Sequence, residues 1–454
     1  MFTEETANGG QARHRDAGPA KEESAARDNV GKLVDHLFRH EAGKMVSVLT
    51  GTFGTENLDL VEDVVQDALV KASQVWPVRG IPDDPSAWLY QAAKNGAIDL
   101  LRRGSRTVRL GAMEEAAGPE ASMVEAIDNV WEEELVKDDM LRMMFVCCHP
   151  ALPVESQITL ILKTLCGFST AEVARSFLAP EDTISKRLYR AKETFRRRKI
   201  AFALPSADEL KSRTEAVLNS IYLLFNEGYN SSDERELIRS DLMEEALLLG
   251  RLLTENPITQ VPETFALMAL MCFQSSRTGG RLSPEGDIVL LEQQDRGRWD
   301  FRYIAAGSAY MERAASGDTM SAFHLEAAIA FEHCVAPSFD ETNWRRILEL
   351  YDWLDSVAPS PAARLNRTVA VMQLEGPEAA LRALDEIPGR ETLEKFYLYH
   401  SLRGEMLARL HAAAEARACF EAALRLTGSA SERALLMKKI DKLEEQRPPI
   451  AAAG

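Results

Sequence analysis

The chain is short of cysteine, has no apolar run long enough to cross a membrane, and lacks any surplus of positive charge. Each shortage narrows its function. Its six cysteines, Cys147, Cys148, Cys166, Cys272, Cys334 and Cys419, are too few and too irregular for a disulfide framework in 454 residues. They point instead to reduced thiols and a cytoplasmic location. Cys147-Cys148-His149 invites a metal reading, but adjacent ligands without a second cluster do not match zinc spacing, and buried helix cysteines are the simpler expectation. The N-terminus, rich in Gly, Ala, Glu and Arg up to about Asp28, has no apolar core of a signal or anchor, so residues 1–28 are expected to form a disordered tail. Enzyme signatures are missing as well. His324 and His333, near Glu326 and Glu332, have a spacing that no metalloprotease motif uses, and Gly279-Gly280 is too poor in glycine to cradle a phosphate. The expectation is a protein that is not an enzyme and needs no metal or cofactor.

A formal net charge of −17 looks wrong for nucleic-acid binding. Read locally, the conflict dissolves, because between Thr183 and Lys199 the basic residues far outnumber the lone Glu193. The stretch from Phe168 to Lys199 reads as a helix–turn–helix. Ser169 can cap the first helix, Glu172 can close a capping box, and Phe168 and Val173 sit where a hydrophobic staple would. Val173, Ala174 and Phe177 face inward, and Leu178-Ala179-Pro180 breaks the helix. The second helix, starting at Glu181 or Asp182, buries Ile184, Leu188, Ala191 and Phe195 at helical spacing. Its other face carries Thr183, Ser185, Lys186, Arg187 and Arg190, residue types that reach base edges in the major groove. The run Arg196-Arg197-Arg198-Lys199 continues that face; the plain alternative is a solvated helix end favoured by the helix dipole.

A chain this long should split into roughly two to four domains. Residues 29–106 read as helical. Leu58, Val61, Val65, Ala68, Leu69 and Ala72 share one face, and Asp59, Glu62, Asp63, Gln66 and Asp67 share the other. Asp84 caps a further helix with Pro85 at its first position. Trp88, Leu89, Ala92, Ala93, Leu100 and Leu101 point mostly inward, and Asn95, Asp99, Arg102 and Arg103 form a polar edge. Residues 107–139 form an acidic linker with a short helix around Trp131, and 140–204 hold the helix–turn–helix. Residues 205–340 are a helical extension, interrupted by a polar turn from Ile221 to Asp233 and by an oddly charged stretch from Leu290 to Ile304. From 341 to 447 the helices shorten and pair, with a faint repeat at an offset of 36: Leu374 with Leu410, Ala380 with Ala416, Leu384 with Phe420. That period suggests tetratricopeptide-like hairpins. The expected fold class is all-α.

Two motifs in this order carry a resemblance. DLVEDVVQDALVKAS followed by PSAWLYQAAKNGAIDLLRR resembles region 2 of bacterial RNA polymerase sigma factors, and Phe168–Lys199 resembles region 4. With only a linker between them, the pattern is similar to the extracytoplasmic-function (ECF) sigma factors, in the branch with a helical, tetratricopeptide-like C-terminal extension. NEGYNSS and QDRGRWD resemble signatures of that extension, making Asn226, Glu227, Tyr229, Asp295, Arg296 and Trp299 candidate regulatory contacts.

The resemblance implies core RNA polymerase as a partner, through its β′ clamp helices and β flap, together with promoter DNA, and no membrane. It places Glu62, Asp63, Gln66 and Asp67 on the clamp helices. The loop from Val78 to Asp84 stands where an extruded −10 base is held, and Asn95, Asp99, Arg102 and Arg103 where that element is contacted and opened. Thr183, Ser185, Lys186, Arg187 and Arg190 match the helix that reads the −35 element, although Glu181-Asp182 replace the family's usual small residue at its start. On this reading the extension regulates the first half in cis, either covering the basic helix or supporting the active arrangement, in answer to an unknown signal or protein. The alternative is a helix–turn–helix regulator with a helical-repeat sensor that does not replace a sigma factor.

Overall fold

The computed structural model describes residues 41–109, 133–176, 179–231 and 237–445. The expected N-terminal tail, most of the acidic linker including Trp131, and Phe177, Leu178, Ser232 and Asp233 lie outside these residues. Among the described residues the fold is all-α, with one isolated bridge between Leu282 and Ile288. The chain divides into two compact units, Met1–Val136 and Lys137–Gly454.

In the first unit, helix α1 covers residues 41–53. It is followed by α2 (Leu58–Arg79) and α3 (Pro85–Arg109). Leu58, Val61, Val65, Ala68, Leu69 and Ala72 are buried, as their spacing predicts, and Val64 joins them. Trp76 meets Trp88 edge-on at 5.5 Å between ring centroids. Pro77 lies in the last turn of α2, and Gly80, at φ 85°, donates its N–H to the Trp76 carbonyl at 3.0 Å to end it. Asp84 accepts from the Ala87 N–H at 2.9 Å, which starts α3 as expected. The loop between them is shorter than expected, because Val78 and Arg79 are still helical.

Helix α4 (Glu133–Cys147) runs across the boundary into the second unit, which continues with α5 (Val154–Thr164), α6 (Thr170–Ser176) and α7 (Glu181–Arg198). Next come α8 (Ala207–Tyr229), α9 (Ser240–Glu255), α10 (Pro262–Ser276), α11 (Phe301–Ala314), α12 (Ala322–Val335) and α13 (Trp344–Val357). Cys147, Cys148, Cys166, Cys272 and Cys334 are buried thiols, and burial pushes Cys272 up to about 12. Helix α10 is buried without a break from Thr264 to Phe273, with α9, α11 and α12 packed on it. The polar turn expected at Ile221–Asp233 is corrected in its first part. Ile221, Leu224 and Phe225 continue the buried stripe of α8, so the helix runs to Tyr229 before the chain turns.

The chain ends in α14 (Pro361–Glu375), α15 (Pro377–Asp385), the single turn α16 (Arg390–Leu393), α17 (Tyr397–Arg409), α18 (Ala413–Leu426) and α19 (Ala430–Glu445). The helical hairpins α14–α15 and α17–α18 start 36 residues apart in both members. Ala380 and Leu384 are buried, and so are their counterparts Ala416 and Phe420. Leu374 is 39% exposed, so that pair of the repeat has no common core role.

Gly228 fixes how closely α8 and α9 approach. A Cβ there would come within 2.8 Å of the Met243 backbone nitrogen and 2.9 Å of the Arg239 carbonyl, backbone atoms that cannot swing aside. A helical glycine costs about 1 kcal/mol relative to alanine, so alanine would win unless the close approach decided. Gly228→Ala is expected to destabilise the second unit by about 1–3 kcal/mol, measured by denaturant unfolding followed by circular dichroism. A neutral or stabilising result would show that α9 yields at this crossing.

Candidate nucleic-acid interface

Helix α6 starts with the expected capping box. The Ser169 N–H donates to Glu172 Oε2 at 2.7 Å, and the Glu172 N–H donates to Ser169 Oγ at 3.1 Å. The other carboxylate oxygen of Glu172 accepts from Arg239 Nη1 at 2.8 Å, in an ion pair whose side chains are only 12% and 7% exposed. Arg239 also reaches Asp241 Oδ2 at 3.1 Å, and its own N–H donates to the Gly228 carbonyl at 2.8 Å. A second arginine of the extension, Arg213 on α8, donates to the Phe145 carbonyl of α4 at 3.4 Å and pairs with Glu209 at 3.0 Å. Spacing along the chain links neither arginine to the helix–turn–helix; the sole hint is that Arg239 stands directly before a helix.

Helix α7 buries Ile184, Ala191 and Phe195, with Leu188 half-buried. Ser185, Lys186 and Arg190 are exposed; Thr183 and Arg187 are half-buried on the same helix. Tyr189, 69% exposed between Lys186 and Arg190, was missed in the sequence, where an aromatic residue reads as core. The two carboxylates at the start of α7 suit the positive end of the helix dipole. Asp182 also pairs with Lys186 at 2.6 Å, but both are exposed, so a DNA phosphate can displace the carboxylate at small cost. Glu193 pairs with Arg196 and Arg197 at 2.5 and 2.7 Å, and Arg197 beside it holds its carboxyl below the usual range. Among the described residues, the extension contacts α4, α5 and α6, and Ser185, Lys186 and Arg190 on the outward face of α7 are exposed.

In the first unit Asp63, Gln66 and Asp67 are exposed on α2 and Glu62 is half-buried. The sequence assigned this stripe and the edge of α3 to different partners, but the structure brings them together. Asp59, Asp63 and Asp67 of α2 and Asn95 and Asp99 of α3 line one groove of about 790 Å³. Arg102 and Arg103 lie on α3, but their side chains are outside the described residues. Beside the loop Val78 is 84% exposed, and Ile81 within it is exposed as well.

The signature residues of the extension make structural junctions. Glu227 is buried and accepts from Ser231 Oγ at 3.4 Å. The Arg281 guanidinium lies 3.9 Å over the Tyr229 ring and donates to the Tyr229 carbonyl. Asn226 is half-buried and accepts the Asn230 N–H at its carbonyl. Asp295 caps a short turn through the Gly297 N–H at 2.9 Å. Arg296 donates to the His333 and Ala336 carbonyls at 2.6 and 2.8 Å, closing the end of α12, and stacks over the buried Trp299.

Comparison with known proteins fits this geometry. Residues 37–107 match the family model for sigma-70 region 2, and residues 142–195 match sigma-70, region 4. Residues 213–315, which hold both signatures, match a family of unknown function (DUF6596). The chain is 38% identical to the uncharacterized protein R00370 of Rhizobium meliloti over 403 residues, 87% of this chain and 92% of that protein. It is 28% identical to the ECF RNA polymerase sigma factor SigL of Mycobacterium tuberculosis over 136 residues, 30% of this chain and 72% of that protein.

Breaking a buried ion pair by removing one partner leaves an unpaired charge and costs about 3–5 kcal/mol, whereas replacing both partners by neutral groups costs far less. Arg239→Met should therefore destabilise the second unit by about 3 kcal/mol, and Arg239→Met combined with Glu172→Gln by less than half of that. Denaturant unfolding of the single and double variants measures the difference. Equal losses would mean that the pair holds nothing together.

Proposed function

Because this chain belongs to the same family as the uncharacterized protein R00370 of Rhizobium meliloti, and carries sigma-70 regions 2 and 4 in its first half, we propose that it is an ECF-type sigma factor. It binds core RNA polymerase, recognises the −35 and −10 promoter elements and initiates transcription in the cytoplasm, with no chemistry of its own. The observation that carries this reading is an exposed acidic stripe on region 2 followed by an exposed basic face on region 4.

Glu62, Asp63, Gln66 and Asp67 dock on the basic β′ clamp helices. The groove between α2 and α3 supports this assignment, because its carboxylates favour a cationic partner and repel DNA phosphate. Asn95, Asp99, Arg102 and Arg103 contact and open the −10 element, with Asn95 and Asp99 at the edge of the same groove. The apolar Val78 and Ile81 offer a surface on which an unstacked base can rest. Thr183, Ser185, Lys186, Arg187 and Arg190 read the −35 element, with Tyr189 against the backbone. The extension, tetratricopeptide-like at its end, acts in cis as a support. Arg239 and Arg213 hold the helix–turn–helix in its DNA-reading shape, and α7 stays open. Cutting the chain after Leu204 would strip both arginines away, so full-length variants make the cleaner test.

The test is run-off transcription by purified core polymerase on a pool of genomic promoters, with and without the full chain. Specific starts should appear only when the protein is added. Arg187→Ala with Arg190→Ala should lower them about tenfold or more while core binding is kept. Asp63→Lys with Asp67→Lys should abolish core binding while duplex binding is kept. A chain that binds DNA but not core polymerase would be a helix–turn–helix regulator instead.

A further inference from the structure

The extension encloses a cavity of about 520 Å³, walled by α8, α10, α12, α13 and α14. Its floor is apolar, with Leu270, Ile329 and Leu354. Three of the side chains that line it, Arg277, His333 and Gln274, each carry one buried polar atom without a hydrogen-bond partner: Nε, Nδ1 and Oε1. Buried polar groups are satisfied in the great majority of folded proteins, and each orphan costs about 1–3 kcal/mol. Three incompletely satisfied polar side chains around one cavity mark it as a place for a polar occupant.

The atoms also describe its chemistry. Arg277 Nε is a charged donor, and among the described residues no carboxylate pairs with it. His333 Nδ1, in its N–H tautomer, is a second donor. Arg296, the other nearby guanidinium, is turned away to the His333 and Ala336 carbonyls. Glu326, on the same helix as His333, is occupied by Tyr222, whose hydroxyl donates to it at 2.5 Å. Two donors, one of them a cation, want an anionic acceptor, and Gln274 Oε1 wants a donor on the same molecule.

We infer that this cavity binds a small organic acid that carries a hydroxyl or amino group, its carboxylate on Arg277 and His333 and its apolar body on Leu270, Ile329 and Leu354. Burial and the two arginines pull His333 down to about 3, which keeps the ring neutral beside Arg277 while the cavity is empty. Tyr222 belongs to α8, which packs on α5, the helix against which α6 and α7 pack, so an occupant stiffens the support of the DNA reader. The binding site stands on its own geometry. Only this regulatory consequence rests on the sigma-factor reading.

The test needs no polymerase. Isothermal titration of the full chain with L-leucine and with 3-phenyllactate, using 3-phenyllactamide as the uncharged control, reads binding directly. Saturable binding of at least one acid, with the amide at least about tenfold weaker, is the expected result. Arg277→Met should weaken the acid about tenfold or more. Ala362→Phe, at the exposed rim, should block entry without disturbing the core, and it decides the matter if the arginine variant fails to fold. The inference is overturned if neither acid binds, if the amide binds as well as the acid, or if Ala362→Phe binds like the unaltered chain.

Discussion

The carboxylate of Glu172 is shared between two jobs, and the second unit depends on that sharing. One oxygen closes the capping box that starts the first helix of the helix–turn–helix, and the other receives Arg239 from the extension. A capping box by itself is a local device, competent in any isolated helix. Once the same carboxylate is buried against a guanidinium, the start of α6 is tied to α9, and α9 is held to α8 at the Gly228 crossing. The DNA-reading element and the extension therefore form one structural object. The desolvation cost of both charges is recovered only while their geometry is kept.

That coupling changes what a C-terminal extension can do to the helix–turn–helix. A cover would have to lie on α7, whose Ser185, Lys186 and Arg190 are exposed. The contacts run instead behind the reader, through α4, α5 and α6. On the proposed reading, a signal at the extension would act through the platform of α7, since packed helices can transmit small shifts. Helix α8, which packs on α5, also lends Tyr222 to the cavity wall.

The first unit shows the same economy of surface. Helices α2 and α3 bring carboxylates from both sides onto one groove, giving the acidic body of the protein a local address. Net charge had pointed away from nucleic acid, yet α7 carries a local cluster of basic residues and the α2–α3 groove a local cluster of carboxylates. Opposite charges kept on separate surfaces suit a protein with two macromolecular partners of opposite sign.

Periodicity and capping chemistry determined much of this from the chain alone. Helical spacing placed the buried faces of α2 and α7, the pairs Ser169/Glu172 and Asp84/Pro85 marked helix starts, and an offset of 36 announced the late hairpins. These signals are legible because each depends on residues within a few turns of one another. Misreadings arose where local chemistry was overruled. The polar NEGY segment looked like a turn, but the buried stripe of Ile221, Leu224 and Phe225 carried the helix through it. Val78 looked like loop after Pro77, but a proline in the last turn leaves the helix intact. Tertiary structure alone decided that Arg239 reaches back to Glu172, that Asp99 joins the α2 carboxylates, and that Gln274, Arg277 and His333 face one cavity. Those pairings join residues far apart in the chain, and the close approach of packed helices that creates them leaves no period in the sequence.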